Sequence, residues 1–286
     1  MRQSGIEVER FHEPGWSTWD KLNNRTHRKL LVTDGRLGFT GGVGIADQWL
    51  GDAQNPDQWR DNHFRVEGPV VAQMQSVFLD NWMRATGKVL HGDRYFPQQT
   101  PAGDARAQMF SSSPQGGSAS MYLMYLLAIT AAHSSIDLGN AYFVPDDMTA
   151  KALIDAARRG VQVRVLTPST VIDSEVVRQA SRAGWGPLLA AGVQIAEFQP
   201  TMFHVKGLVV DGRFASVGST NFDGRSFHLN DEANLNVLDA AFGARQREVF
   251  NADWARARTV SLAQWQQRPW RERITEKLAS LLRAQL

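Results

Sequence analysis

The sequence predicts an α/β fold of two pseudo-symmetric sandwich lobes with mixed sheets, the first lobe cut short at its N-terminus. Three observations predict it. Strand-like and helix-like segments alternate along the chain. One block of sequence recurs in order. The two copies are preceded by very unequal lengths of chain.

The elements are clearest around the second copy. Gln108 to Ser111 reads as a strand, and Met121 to His133 is an apolar helix. Ser135 to Phe143 is a strand. Met148 to Arg159 is a helix ending at Gly160, a residue suited to a C-cap. Val161 to Thr167 alternates like a strand. Ser174 to Ala191 is helical, with Gly184 and Gly186 as interruptions, and Val193 to Phe198 is another strand. The Gly- and Pro-bearing stretch Asn81 to Arg106 reads as the connection between lobes. The expected division is 1–106 for the first lobe with its connection, 107–260 for the second, and 261–286 for a C-terminal amphipathic helix.

The repeat is explicit. GIEVERFHEP (Gly5 to Pro14) parallels GVQIAEFQP (Gly192 to Pro200). His27-Arg-Lys29-Leu-Leu-Val-Thr-Asp34-Gly-Arg parallels His204-Val-Lys206-Gly-Leu-Val-Val-Asp211-Gly-Arg. Gly41-Gly42 then matches Gly218-Ser219, and the segment from Asp61 matches that from Glu232. Two matched octapeptides with matched flanks indicate duplication. Residues Ala107 to Ala191 precede the second GVQIAEFQP strand, but only four residues precede Gly5. The expectation is that roughly 80 residues of a full first lobe are missing, since a sheet without its central strands exposes long edges.

Composition narrows the chemistry. Of the 286 residues, 43% are apolar and 21% charged, as in a globular protein, and the formal charge is only +2. So small a charge disfavours nucleic acid as a partner. There is no cysteine, which excludes disulfides, zinc-thiolate sites and a catalytic thiol. No apolar run approaches the ~18 residues of a membrane span, and Met1 to Glu13, without a long apolar core, does not read as a signal peptide.

The duplicated motif fits phosphoryl transfer. Two residues apart on a strand, His27 and Lys29 share a face, as do His204 and Lys206. Imidazole attacks phosphorus or passes a proton near neutral pH. The lysine neutralises phosphate charge. Two facing pairs supply a nucleophile, an acid and two cations, enough for displacement through a phosphohistidine without metal or other cofactor. Asp61 and Glu232, at equivalent repeat positions, are candidates to hold each imidazole's second nitrogen, of either lobe. Ser219 and Asn221 are candidate phosphate donors. Asp34 and Asp211 complete the motifs and are counted with the catalytic set, although their place before Gly35 and Gly212 reads as turn-stabilising. His12, His63, His91, His133 and His228 read as structural or surface residues, with a supporting role open for His63 beside Asp61.

At these residues the chain resembles the phospholipase D superfamily, and within it the bacterial cardiolipin synthases. The resemblance rests on THRKLLVTDGRLGFTGG (Thr26 to Gly42), NAYFVPDD (Asn140 to Asp147) and HVKGLVVDGRFASVGSTNFDGRSFHLNDEAN from His204. It implies two phospholipase-D-like lobes and phosphatidyl transfer between phospholipids, with phosphatidylglycerol as substrate. It also implies that His27 attacks and His204 protonates the leaving glycerol. In one departure, Gly44 stands where related enzymes commonly have the asparagine that Asn221 supplies in the second copy.

The tail intersperses Trp254, Trp265 and Trp270 among arginines, and Ile274, Leu278, Leu281 and Leu282 follow at helical spacing. That pattern suits either a helix packed on the domain or a basic amphipathic helix on an anionic membrane. The combined expectation is a peripheral enzyme on the cytoplasmic face of the bacterial inner membrane. The competing readings are a hydrolytic phospholipase D, another phosphodiesterase, and an inactive lipid-binding remnant.

Overall fold

The computed structural model describes residues 2–11, 25–51, 53–113 and 118–286. In chain order, the first part holds β1 (Leu30–Thr33), β2 (Leu37–Gly41), β3 (His63–Glu67) and α1 (Val70–Thr86). Then come β4 (Arg106–Ser112), α2 (Ser120–Thr130), β5 (Ser135–Asn140), β6 (Phe143–Val144), α3 (Asp147–Arg158) and β7 (Gln162–Pro168). These are followed by α4 (Glu175–Ala183), α5 (Trp185–Ala190), β8 (Gln194–Phe198), β9 (Lys206–Val210), β10 (Phe214–Gly218) and β11 (Phe222–Asp223). The chain continues with α6 (Gly224–His228), β12 (Glu232–Leu238), α7 (Ala240–Trp254), β13 (Ala257–Val260), α8 (Leu262–Gln266) and α9 (Trp270–Ser280).

The second lobe is built on an eight-stranded mixed sheet ordered β13-β8-β7-β5-β9-β10-β12-β4. β5, β7 and β8 run parallel, and the other neighbours are antiparallel. β5 is buried along its whole length, as a central strand covered on both faces must be. Its main core joins Ile136, Leu138, Val163, Val165, Leu208 and Trp185.

The first lobe contributes the antiparallel sheet β1-β2-β3 and α1. It shares one apolar core with the second. Val66, Val71 and Met74 pack with Met109, Val217 and Leu235. A common core fixes the two histidine segments relative to each other.

Several expected boundaries move for physical reasons. The strand expected over Ser135 to Phe143 breaks after Asn140, whose side-chain oxygen accepts from the backbone N–H of Tyr142 (3.2 Å) and Phe222 (3.1 Å). The apolar helix ends at Thr130, short of His133. The expected helix from Ser174 divides into α4 and α5 at Gly184. The expected connection from Asn81 begins inside α1, which runs to Thr86 and is capped by Gly87 in the left-handed conformation (φ 70°). The segment 261–286 holds two α-helices and a final 3-10 turn (Arg283–Gln285), not one helix, since Pro269 separates α8 from α9. Ile6 to Arg10 form no strand, unlike their counterpart β8, which pairs with β7 and β13. His12, Glu13 and Pro14 lie outside the described residues.

Candidate active site

Both histidines lie in extended lead-ins just before their hairpins, since β1 begins at Leu30 and β9 at Lys206. Each lead-in leaves its own ladder to pair with the opposite lobe. Phe203 bridges Arg60 in parallel, and Thr26 bridges Asp231. The His204 N–H donates to Arg60 O (2.8 Å), and the His27 N–H donates to Asp231 O (2.9 Å). The residues that follow those two acceptors are Asp61 and Glu232. The backbone exchange therefore delivers each carboxylate to the other lobe's histidine. Asp61 Oδ2 lies 2.6 Å from His204 Nδ1. Glu232 Oε1 and Oε2 lie 3.0 and 3.1 Å from His27 Nδ1. The alternative left open by the sequence, own lobe or opposite lobe, resolves to opposite.

A carboxylate on Nδ1 fixes the tautomer with its proton there and leaves Nε2 as the reactive nitrogen. Lys206 Nζ lies 3.0 Å from His204 Nε2 and donates to His204 O at 2.7 Å. Lys29 Nζ donates to His27 O at 3.2 Å. Each lysine thus sits on its histidine's side, as the two-residue spacing predicts.

Burial sets the electrostatics. It pulls the Lys206 ammonium down to about 7 and lowers Lys29 as well, against the raising effect of Asp61 and Glu232. Burial, then repulsion from Lys206, brings His204 down to about 4, with Asp61 opposing. For the carboxylates, burial acts upward. The His204 hydrogen bond and Lys206 outweigh it at Asp61, and the His27 and Ser219 contacts outweigh it at Glu232, so both are held below the ordinary range.

The two carboxylates are supported differently. Ser219 Oγ donates to Glu232 Oε2 at 2.5 Å, and Asn230 Nδ2 approaches Oε1 at 3.5 Å. Ser219, expected to donate to phosphate, instead holds the carboxylate. The residue equivalent to it in the first copy is Gly42, where a Cβ would stand 2.2 Å from Asp61 Oδ1. Asp61 occupies that space. Its donors are the Asn62 N–H (2.8 Å) and the Trp49 indole N–H (3.1 Å). A Cβ at Gly44 would meet the Trp49 ring at 3.0 Å, so glycine at that place makes room for the indole. Trp49 and Trp59 also pack on His204, with centroids 5.4 and 5.2 Å away. The repeat could not reveal this Trp49 contact, because the second copy uses Ser219 to hold its carboxylate. Trp49→Phe keeps the ring and removes the donor. It is expected to lower kcat roughly tenfold, the worth of one hydrogen bond to a charged group, with KM and Tm unchanged. Equal losses in kcat and Tm would make the contact merely structural.

Asn221 is buried and its Oδ1 has no hydrogen-bond partner among the described residues, consistent with a group kept for an incoming ligand. Asp34 and Asp211 do not belong to this cluster, which corrects their place in the catalytic set. Both lie at the far ends of their hairpins, in left-handed backbone (φ 54° and 53°). Asp211 accepts from the backbone N–H groups of Ser134 (2.7 Å) and Ser135 (2.9 Å), and such bonds take its carboxyl to about 2 against the upward pull of burial. It ties the β9–β10 turn to the start of β5, while Lys206 pairs with Asn140 at the other end. His63 is exposed on β3 and takes no part in the crossed pairs.

Two arginines missed by the motif reading hold the frame. Arg60 makes a bidentate pair with Asp253 across the lobes, both bonds 2.7 Å. Arg28 reaches Asp80 (2.9 Å), Asn81 (2.6 Å) and Ser112 O (3.1 Å), joining the His27 segment to α1 and β4. Each adjoins a site residue, Arg28 next to His27 and Arg60 next to Asp61, and that adjacency was the available signal.

A paired histidine–lysine site between two lobes is the arrangement that the resemblance to the phospholipase D superfamily implies. Residues 125–254 match the family described as "Cardiolipin synthase, PLD-like domain". Over 99% of its length the chain is 37% identical to a cardiolipin synthase of Geobacillus thermodenitrificans and 32% identical to cardiolipin synthase A of Pseudomonas fluorescens. It spans 57% and 58% of those two proteins. The crystal structure of a phosphatidylserine synthase from Haemophilus influenzae superposes with a TM-score of 0.70 at 11% identity, covering 92% of this chain and 71% of that one, a likeness of fold. By these matches the chain is similar to cardiolipin synthases, and it spans little more than half the length of those relatives.

Proposed function

We propose that this protein transfers a phosphatidyl group between phospholipids, making cardiolipin from two molecules of phosphatidylglycerol. The crossed histidine–carboxylate pairs carry this reading. His27 is the nucleophile. Its side chain is 28% exposed, and no partner stands on Nε2 among the described residues. Nε2 attacks phosphorus, the bond from phosphorus to the headgroup oxygen breaks, and glycerol leaves with a proton from His204. Phosphatidyl-His27 is then attacked by a hydroxyl of a second phosphatidylglycerol, whose proton returns to His204. The phosphorus–nitrogen bond breaks and His27 is regenerated. Lys29, Lys206 and Asn221 would hold the nonbridging oxygens. The phosphodiester's charge, set against Lys206, restores the proton affinity that His204 lacks in the empty site. The substrate places the enzyme at a membrane surface, on the cytoplasmic face of the bacterial inner membrane in this reading. Among the described residues no helix is long and apolar enough to cross a membrane.

Labelled phosphatidylglycerol tests the proposal. Cardiolipin and glycerol support it, whereas phosphatidic acid would mean that water is the acceptor. No product would overturn it. The lysine gives a pH signature. Lys206 is charged below about 7 in the free enzyme and loses its proton above. Since kcat/KM reports free-enzyme groups, it is expected to fall as pH rises through that value. Lys206→Arg, charged at every working pH, should lose that limb while lowering the maximum. A limb unchanged in the arginine variant would assign it to another group.

A further inference from the structure

The C-terminal helix is docked the wrong way round for a helix whose apolar stripe serves the core. α9 buries Glu276 and Ala279, while Trp270, Ile274, Leu278 and Leu281 are between 51 and 77% exposed. Glu276 accepts from Arg182 (3.1 Å) and Arg268 (2.7 Å), and Ala279 packs with Val177 and Ala180 of α4. At 3.6 residues per turn, the exposed apolar stripe lies roughly opposite this anchored face. Arg273 and Lys277, both exposed, line one edge of the stripe.

The helix also has a defined place. Lys206 pairs with Asn140 at the C-terminal end of β5, which sets the catalytic edge of the sheet. α3 and α4 start from that edge, following β6 and β7. α9 lies along α4, and the chain beyond it reaches α3 through Arg283–Asp147 (2.9 Å) and α6 through the Arg225 N–H to Leu286 O (2.9 Å). On the same edge, Met148 in the first turn of α3 and Val176 in that of α4 are exposed. Ile45, 98% exposed, and Leu50 stand on the β2–β3 loop that carries Trp49.

We infer that α9 is a docking face for an anionic bilayer, which turns the catalytic edge toward the lipid surface. An apolar stripe bordered by cations matches the interfacial layer, where apolar side chains enter the acyl boundary and Lys or Arg meet anionic headgroups. The orienting role rests on the lipid-transfer reading; the binding does not, and the test keeps them apart.

The measurement is flotation of the full chain with phosphatidylcholine vesicles, with and without phosphatidylglycerol. Binding should require phosphatidylglycerol and weaken with salt. The triple variant Ile274→Glu, Leu278→Glu, Leu281→Glu should bind at least about tenfold more weakly with an unchanged Tm, because these side chains are exposed. His27→Ala should bind like wild type whatever its turnover. The chain has no cysteine, so Leu278→Cys offers a unique site for an environment-sensitive dye, whose emission should shift to the blue on vesicles. Wild-type binding by the triple variant would overturn the inference. So would a blue shift that grows with protein concentration in the absence of lipid, which would make a second copy of the chain the occupant.

Discussion

In the proposed reaction, alanine at His27 or at His204 is expected to abolish cardiolipin formation, each loss on the order of 10⁴-fold or more, with the double variant no worse than either single one. The site works as a unit, so removing one histidine forfeits what the other contributes. The two variants should still differ with an activated substrate. A phosphatidyl ester whose leaving group departs without a proton needs no general acid. His204→Ala should then release the leaving group in a burst and accumulate phosphatidyl-enzyme. His27→Ala should give no burst, because no nucleophile remains. The geometry favours this assignment: among the described residues His27 Nε2 has no partner, whereas His204 is buried under Trp49 and Trp59 with Lys206 against its Nε2. A burst from His27→Ala would reverse the roles. Wild-type turnover in either variant would sink the two-histidine site.

The placing of each lysine beside its histidine was legible in the sequence because it is local. His-x-Lys spacing puts the two groups on one side of an extended segment, and duplication supplies the second pair. The repeat also identified Asp61 and Glu232 as equivalent. What it could not convey was which histidine each carboxylate serves. That depends on two bridges between residues far apart in the chain, Phe203 with Arg60 and Thr26 with Asp231. The same limit hid Trp49, since its contact with Asp61 has no counterpart in the second copy. Asp34 and Asp211 carried two readings, catalytic by membership in the motif and turn-stabilising by their place before glycine. The left-handed turn at the far end of each hairpin fits the second. Patterning located the apolar stripe of α9. It could not tell that the helix is anchored through a buried glutamate and two arginines, leaving the stripe exposed.

The crossing of the carboxylates makes a prediction that own-lobe pairing would not. Asp61→Asn should disable His204, the proposed acid, and Glu232→Gln should disable His27, the proposed nucleophile. Each replacement keeps the shape and removes the charge that fixes the tautomer. Losses of about 10³- to 10⁴-fold in kcat are expected with the natural substrate. The activated ester separates the two. Asp61→Asn should recover most of its first-step rate, as His204→Ala does, since no proton is then needed. Glu232→Gln should not recover, because a misdirected His27 attacks no better when the leaving group improves. Both carboxyls are held below the ordinary range by their contacts with the histidines, with Ser219 adding to that at Glu232. The stability they contribute is therefore present above the unfolded carboxylate pKa and is lost as pH falls through the folded values. The neutral variants should lack that acid dependence. Rescue of Glu232→Gln in place of Asp61→Asn would show that each histidine is governed from its own lobe in solution, and that the bridges between Phe203 and Arg60 and between Thr26 and Asp231 do not determine which carboxylate it meets.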